Sequence, residues 1–402
     1  MMKKTLFFIL GVVAIIMVAC SKNNSVPEPV FEQEEWVENE SLPVPISLGQ
    51  KTLDATLTKA APVTSSNIEG TIFGIFGVDV KADATWTDNA DNIVLRDGYA
   101  KYQTGKMQFV DPETDGDVTY YYPMITKYNY TFYGFHTGNE TTVSDYRDNL
   151  TTTFGGGGTL YTDLNLGATD ILWAKASASD ISGKINDTDE HDTILSGFNA
   201  RYSRYSRKWY LGEYVNYEPV LNFKHLTAAL HFWAVAADAD AQTSLEEGNA
   251  TVYSLMVKGV PSRARLCIAE KQPLEGLPLN EGTLTALNSG DSLKMCNALG
   301  LVEDLAVRPV IDAGTQIGTG LFILPQSAAG MTVSFVLRDP SGYTRVYNQP
   351  LPAPTGGEYK AGYKYNFKII IRSLEKIEIK ASVEDWANGF APEDDTHVDD
   401  IG

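Results

Sequence analysis

Cysteine, long apolar runs and helical periodicity are all scarce in this chain. Of its 402 residues only Cys20, Cys267 and Cys296 are cysteines, so no disulfide framework holds the fold together; whether Cys267 and Cys296 pair stays open. Beyond the first 20 residues, no stretch approaches the roughly 20 apolar residues that a membrane-spanning helix needs. No stretch keeps an amphipathic helical pattern over three turns. The fold must be held together by its own cores.

Positive charge is also in short supply. The chain has 32 Lys and Arg residues against 51 Asp and Glu residues, a formal net charge of −19. A protein that binds nucleic acid needs a basic face that displaces counterions from phosphate. The sequence therefore predicts no nucleic-acid partner, and its acidity favours solubility outside the cell.

Motifs that carry catalysis are missing. There is no Gly-x-Ser-x-Gly elbow, His-Glu-x-x-His helix or Cys-x-x-Cys pair, and the glycines of Phe154–Leu160 are not followed by the lysine of a phosphate loop. Asp187–Asp192 opens like a calcium loop but lacks the glycine at its sixth position, which favours a solvated acidic loop. We predict that the protein is not an enzyme and needs no metal or other cofactor.

The first 20 residues have the features of an export signal. A basic start at Lys3 and Lys4 precedes an apolar run that ends at Cys20, which resembles a bacterial lipobox. This pattern predicts a lipoprotein signal peptide over residues 1–19, lipidation of Cys20, and an acidic, proline-rich tether over residues 20–43. The membrane would then be reached through the lipid anchor only. The alternative is an ordinary signal peptide with an incidental cysteine.

Alternating apolar and polar residues predict strands along the rest of the chain. The clearest examples place Tyr363, Tyr365, Phe367, Ile369 and Ile371 on one face of a strand, and Val333, Phe335 and Leu337 on one face of another. Four stretches are more continuously apolar, as in strands covered on both faces: GTIFGIFGV, YNYTFYGFH, LHFWAVA and TVYSLMVKGV. The predicted fold class is all-β, with β-sandwich domains over residues 60–216 and 217–402.

One well-patterned strand ends at a joint that a protease could cut. Leu53, Ala55 and Leu57 alternate with polar residues, and Lys59 and Ala60 follow. Removing such a strand would expose an apolar groove and unpaired backbone groups, which a neighbouring chain would have to fill. The family resemblance that this stretch shares with those below implies that the segment over residues 44–59 is removable.

Taken in order along the chain, these features resemble the fimbrillin family, the type V pilus subunits of Bacteroidetes-type bacteria. The resemblance rests on the lipobox at Cys20, the strand that ends at Lys59, and the stretches GTIFGIFGV, YYYPMITKYNYTFYGFH, DILWAKA, LNFKHLTAALHFWAV, GGEYKAGYKYNFKIII and ASVEDWANG. It implies two β-sandwich domains of transthyretin-like topology. It also implies a lipid-anchored precursor at the outer membrane, which a surface protease of trypsin-like specificity cuts between Lys59 and Ala60.

The same resemblance implies assembly by strand exchange between subunits of a fimbria. Loss of the strand with Leu53, Ala55 and Leu57 would open an acceptor groove, and a strand of the next subunit would fill it. The donor candidate is the carboxyl-terminal strand with Ile377, Ile379, Ala381 and Val383 on one face. The alternative is that this strand closes its own domain. The expected partners are other pilus subunits, the surface protease, and a glycan or host protein.

A second hypothesis is a monomeric outer-membrane surface lipoprotein that binds glycans or host ligands. It would use exposed aromatic residues such as Trp86, Trp173 and Trp209. The basic, aromatic stretch Arg201–Tyr210 would suit an acidic glycan or a partner protein, although a solvated stretch that balances charge is the favoured interpretation.

Overall fold

The fold is all-β, as the sequence predicts. The computed structural model describes residues 43–50, 68–82, 86, 92–124, 128–138, 140–176, 198–200, 218–271, 279–297, 299–373 and 376–385. In these ranges the chain forms 22 strands and two short helices. Neither of the two described helices is long and apolar enough to cross a membrane.

Ten strands and one helix come from the first part of the described chain. The strands are β1 (Gly49–Gln50), β2 (Ile72–Val78), β3 (Ile93–Gln103), β4 (Lys106–Phe109), β5 (Thr131–His136), β6 (Thr152–Gly155), β7 (Thr159–Asn165), β8 (Leu172–Ala176), β9 (Val220–Leu221) and β10 (Lys224–His225). Helix α1 (Val143–Asn149) is capped by Thr142, whose side chain accepts a hydrogen bond from the Asp145 backbone N–H.

The second part of the chain supplies the other strands. They are β11 (Ala228–Ala236), β12 (Thr251–Val260), β13 (Arg263–Glu270), β14 (Thr283–Ala286), β15 (Asp291–Lys294), β16 (Thr315–Ile323), β17 (Gln326–Ser327), β18 (Thr332–Arg338), β19 (Thr344–Pro350), β20 (Glu358–Tyr359), β21 (Tyr363–Ser373) and β22 (Lys376–Asp385). Helix α2 (Ala239–Glu247) is capped by the Asp238 side chain.

A six-stranded sheet in the order β10-β8-β5-β2-β3-β4 organises the amino-terminal half. Phe73 and Phe132 point from one face into a buried cluster that we call the amino-terminal core. Phe76 and Tyr133 point from the other face into a second cluster. Every residue of β2 and β5 is buried, which confirms that these apolar stretches are strands covered on both faces.

Two four-stranded sheets enclose the core of the carboxyl-terminal half. Their strand orders are β16-β11-β21-β22 and β15-β12-β18-β19, and their inward side chains form one buried cluster. The predicted inward faces are confirmed for Tyr365, Phe367, Ile369 and Ile371 of β21 and for Val333, Phe335 and Leu337 of β18. We call this cluster the carboxyl-terminal core.

The structure contradicts one prediction, which concerns strand β12. Its stretch TVYSLMVKGV was expected to be covered on both faces, but Tyr253, Met256 and Lys258 are only half-buried. They lie on the outer face of their sheet, and Leu255 and Val257 point into the carboxyl-terminal core. The prediction was wrong because apolar residues on both faces of a strand do not show what covers the second face.

A further sheet, in the order β14-β13-β7-β6, takes strands from both halves of the chain. Strands β7 and β13 pair antiparallel, from Asn165 opposite Arg263 to Thr159 opposite Glu270. Leu160 of β7 and Leu266 of β13 pack into the same cluster as Phe76. The predicted domain boundary near residue 216 lies outside the described residues and stays a prediction.

Candidate functional site

The short stretch from Pro43 to Gln50 lies in the amino-terminal core. Val44, Ile46 and Leu48 are 3%, 4% and 8% exposed, and they belong to one buried cluster with Tyr122, Phe132 and others. Their spacing of two residues is that of an extended chain that turns one face inward. Burying each of these side chains contributes about 1.5–3 kcal/mol. The stretch therefore fills a groove in the core, and we call residues 43–50 the plug segment.

The plug segment forms backbone hydrogen bonds with a stretch of chain on each side, one antiparallel to it and one parallel; we call these two stretches the walls of the groove. On one side it runs antiparallel to the chain around Tyr121: Ile46 N–H donates to the Tyr120 carbonyl at 2.8 Å, and Tyr122 N–H donates to the Val44 carbonyl at 2.9 Å. On the other side β1 runs parallel to β9, and Gly49 N–H donates to the Pro219 carbonyl at 2.9 Å. Without the plug segment, backbone groups on both walls would lose their partners.

Aromatic rings line the groove side of the core. The ring of Tyr122 lies 6.3 Å from that of Tyr130 and 6.1 Å edge-on from that of Phe132. Phe109 and Tyr120 meet edge-on at 5.1 Å. An opened groove would expose an apolar aromatic surface, which a soluble protein rarely leaves uncovered.

The strand β22, which was predicted to be the donor, lies at the edge of its sheet. It pairs antiparallel with β21 from Lys376 opposite Ser373 to Asp385 opposite Tyr363. Ile379 is partly buried against the carboxyl-terminal core, and Glu378 and Lys380 are exposed. For Ile377, Ala381 and Val383 the structure gives strand pairing but no description of the side chains. In this structure β22 completes the sheet of its own chain.

Several predicted site residues lie outside the described part of the chain. These are Cys20, the cleavage pair Lys59 and Ala60, and the strand residues Leu53, Ala55 and Leu57. Sequence reasoning missed Val44, Ile46 and Leu48, although they fall within the segment predicted to be removable. The signal was present as alternation in PVPISL, but Pro43 and Pro45 made the stretch resemble the tether before it.

The aromatic residues proposed for glycan binding need a correction. Trp86 is 2% exposed and Trp173 is 8% exposed, so the prediction of exposed rings was wrong for both. Trp86 packs against Phe76, and the indole N–H of Trp173 donates to the Ile268 carbonyl at 2.9 Å. Both rings fill the cluster between the six-stranded sheet and β13. Trp209 and Arg201–Tyr210 lie outside the described residues.

Buried polar groups cluster where the two halves meet. The Tyr133 hydroxyl donates to the Glu281 carboxylate at 2.8 Å, and the Lys175 ammonium forms an ion pair with the same carboxylate. Burial raises the pKa of Tyr133 well above its usual value, and the adjacent carboxylate adds to this. Burial likewise raises the pKa of the Cys267 thiol to about 11. Both groups are protonated at neutral pH, and the raised pKa values extend the protonated range to higher pH.

The described residues include no metal-binding cluster and no disulfide. Within them, no group of three or more His, Cys, Asp or Glu side chains is placed to hold a metal ion. Cys267 and Cys296 are both free thiols. The predicted acidic loop Asp187–Asp192 lies outside the described part, so that prediction stays untested.

Comparison with known proteins gives one family and several distant structures. The family model described as fimbrillin-like matches residues 58–386. A candidate cell adhesion protein from Bacteroides uniformis is 14% identical with a TM-score of 0.47, covering 86% of this chain and 98% of its own. The tip fimbrial protein Mfa3 from Porphyromonas gingivalis, with a carboxyl-terminal truncation, is 10% identical with a TM-score of 0.32, covering 85% and 100%.

A fimbrial protein from Bacteroides vulgatus is 12% identical with a TM-score of 0.40, covering 85% of this chain and 99% of its own. No curated protein matches the chain. The structural likenesses are too distant to add to the assignment, which depends on a family match over most of the sequence. The chain belongs to the fimbrillin-like family.

Proposed function

We propose that this protein is a structural or adhesive subunit of a cell-surface pilus that assembles by protease-triggered strand exchange. Family membership supports the pilus role. The observation that carries the assembly step is the plug segment, which buries Val44, Ile46 and Leu48 upstream of the proposed cut between Lys59 and Ala60. The family match begins at residue 58, next to that cut.

The cut changes the plug segment from part of the chain into a separate ligand. While the chain is intact, the effective concentration of the segment at its groove is high because both are covalently linked. After a cut at Lys59, the segment can leave and is diluted. The groove then has to bind another extended strand, and neighbouring subunits are the nearest source. Proteolysis thus works as the trigger for assembly.

The geometry of the walls limits what can refill the groove. The new strand must run antiparallel to the chain at Tyr120–Tyr122 and parallel to β9, as the plug segment does. It must also present apolar side chains at every second position. Strand β22 has this pattern at Ile377, Ile379, Ala381 and Val383. To donate it, a subunit must first give up the pairing of β22 with β21.

A head-to-tail contact whose rotation does not close on itself gives an open filament when it repeats, and we propose that this contact is of that kind. Before processing, the subunit would be held at the outer membrane by lipid on Cys20. The monomeric glycan-binding alternative gains no support, because Trp86 and Trp173 are buried.

The first test is amino-terminal sequencing of protein recovered from the cell surface. The proposal expects the mature chain to begin at Ala60, and it expects Lys59→Ala to keep the precursor uncut and without filaments. A start after Lys51, or uncut chains in filaments, would contradict it. For the anchor, Cys20→Ala should release the protein from membranes; unchanged retention would rule out lipidation there.

The donor strand needs its own test with a matched control. Ile379→Asp places a charge on the face of β22 that packs against the core, and burial of an unpaired charge is unfavourable by several kcal/mol. Lys380→Asp changes charge on the exposed side of the same strand. Filaments of cut subunits should be lost only with Ile379→Asp. If they persist while the subunits are folded, β22 is not the donor.

A further inference from the structure

Most edges of the described sheets are short, charged or covered. Strands β4, β6, β14 and β15 have four residues each. Half of the ten residues of β22 are charged, which discourages a further strand from adding to its free edge while β22 is paired with β21 in its own sheet: Lys376, Glu378, Lys380, Glu384 and Asp385. Along β16, Thr319 N–H donates to the Cys296 carbonyl, and Phe322 exchanges two hydrogen bonds with Gly167. These edges are protected.

Strand β19 is the exception among them. It forms the outer edge of the sheet β15-β12-β18-β19, is seven residues long, and carries one charged residue, Arg345. Its central apolar side chain, Val346, is 58% exposed. A flat edge with few charges is a template for pairing with another strand.

The hydrogen bonds at the two ends of β19 show which of its backbone groups face outward. Leu351 N–H donates to the Met331 carbonyl at 3.0 Å, and Asp339 N–H donates to the Tyr343 carbonyl at 3.1 Å. In an antiparallel ladder the bonded pairs alternate, so the odd-numbered residues of β19 bond to β18. The N–H groups of Thr344, Val346 and Asn348 therefore point away from the sheet.

No hydrogen bond within the part of the chain that the structure describes uses those three outward N–H groups. The next outward position is Pro350, which has no N–H. Proline at that place is typical of an edge strand, since its nitrogen faces away from the ladder. The outer edge of β19 thus offers three N–H donors, and pairing along it ends at Pro350, which has no N–H to donate.

We propose that β19 is a docking edge for a second copy of this chain, in which two β19 strands pair antiparallel about a two-fold axis at Val346. In this register Val346 lies opposite its own copy, and Thr344 lies opposite Asn348 of the other copy. Each outward N–H then meets a carbonyl. The two exposed valines bury each other, and no like charges lie directly opposite one another, although the two Arg345 residues are diagonal neighbours about 7–8 Å apart.

Because the sequence of the β19 edge is complementary to itself, we infer that the partner strand comes from a second copy of this chain. A two-fold contact uses the same patch on both molecules, so a patch with an apolar centre and two uncharged polar flanks can match itself. The surface involved is separate from the plug segment and from β22. The contact therefore needs no proteolysis and does not depend on strand exchange. In a filament it would join subunits laterally.

The first experiment measures mass by sedimentation equilibrium on the uncut full-length chain, over a range of concentrations. We expect a monomer–dimer equilibrium. Val346→Lys should weaken the dimer by about tenfold or more, because it sets like charges opposite each other. The control Leu299→Lys changes a loop residue that is 83% exposed, and it should leave the equilibrium unchanged. A single-chain mass at all concentrations, or equal weakening by both variants, would overturn the proposal.

The second experiment tests the register by disulfide trapping in a background with Cys20→Ser and Cys296→Ser. Val346→Cys should crosslink to its own copy, because directly opposed residues at a hydrogen-bonded site lie about 5.5 Å apart between Cα atoms. Thr344→Cys alone should not crosslink, since the two copies of residue 344 would be about 14 Å apart. A mixture of Thr344→Cys and Asn348→Cys chains should crosslink. Trapping by Thr344→Cys alone would overturn the register.

Discussion

The plug segment and β22 are both extended, both alternate apolar and polar residues, and lie near opposite ends of the described chain. They differ in how they are held. The plug segment is bonded on two sides and buries Val44, Ile46 and Leu48 almost completely. Strand β22 is bonded on one side, and Glu378 and Lys380 are exposed. Burial thus marks the first as part of a core, whereas among the described side chains of the second only Ile379 packs, partly buried, against its core.

The largest effect should follow from removing the plug segment. A chain that begins at Ala60 lacks Val44, Ile46 and Leu48, and it leaves two walls of backbone groups unpaired. We expect it to lose most of the stability of the amino-terminal core and to associate with other copies. Thermal unfolding and sedimentation would measure this. The same chain with residues 376–402 deleted is the control: it should lose the core stability but form no filaments.

A matched pair of substitutions sharpens the comparison. Ile46→Ala removes a side chain that is 4% exposed, which should lower the free energy of unfolding by about 2–5 kcal/mol. Ile379→Ala removes a partly buried one on β22 and should lower it by about 1 kcal/mol. Chemical denaturation gives both values. Equal losses would mean that the two strands are held alike.

Acid should weaken the amino-terminal half through His136. Burial lowers the pKa of this imidazole below 6.5, although its Nδ1 is bonded to the Ile72 carbonyl at 2.8 Å. The folded protein therefore binds fewer protons than the unfolded chain once the pH drops below about 6.5, so the free energy of unfolding falls from there down to the folded pKa.

Denaturation at pH 7 and pH 5 would show this fall, and His136→Phe should make it smaller because the ring no longer titrates. A fall of the same size in the variant would assign the acid sensitivity to other groups.

The smallest expected effect is a difference in how fast a thiol reagent labels the two described cysteines, and it leaves the fold unchanged. Burial raises the pKa of Cys267 to about 11, so at pH 8 the thiol is almost fully protonated and shielded. Cys296 is half-buried, with its sulfur 3.6 Å from the Thr319 hydroxyl. In the folded chain with Cys20→Ser, a thiol reagent should label Cys296 first and Cys267 only on unfolding. Faster labelling at Cys267 would show that the sheet around β13 opens.

Alternation of apolar and polar residues correctly predicted the strands that have one face in a core and the other face in solvent. Phe367 and Lys368 on β21 illustrate this, since one is buried and the other exposed. The same reasoning failed for β12, where Met256 is apolar but lies on an open face. It also missed Ile46, because Pro43 and Pro45 before it make the stretch resemble a linker.

The pairing of β7 with β13 joins residues about a hundred positions apart, and no local pattern specifies such a partner. For the candidate site residues, too, local patterns could not predict contacts with distant parts of the chain. Ile379 lies on a partly buried face of a regular strand, as alternation predicts, and its role as a donor residue stays a prediction. The rings of Trp86 and Trp173, which were predicted to be exposed, are buried by distant parts of the chain.

The ladder between β7 and β13 also bears on how a subunit responds to pulling. In a filament formed by the proposed strand exchange, tension would enter at the groove of the amino-terminal core and leave through the carboxyl-terminal sheets. Two domains on a linker would stretch the linker first. Here the load path includes seven opposed residue pairs between β7 and β13, together with the bidentate contact of Arg265 with Asp163. Because these contacts join the two halves, separating the halves would require breaking this ladder.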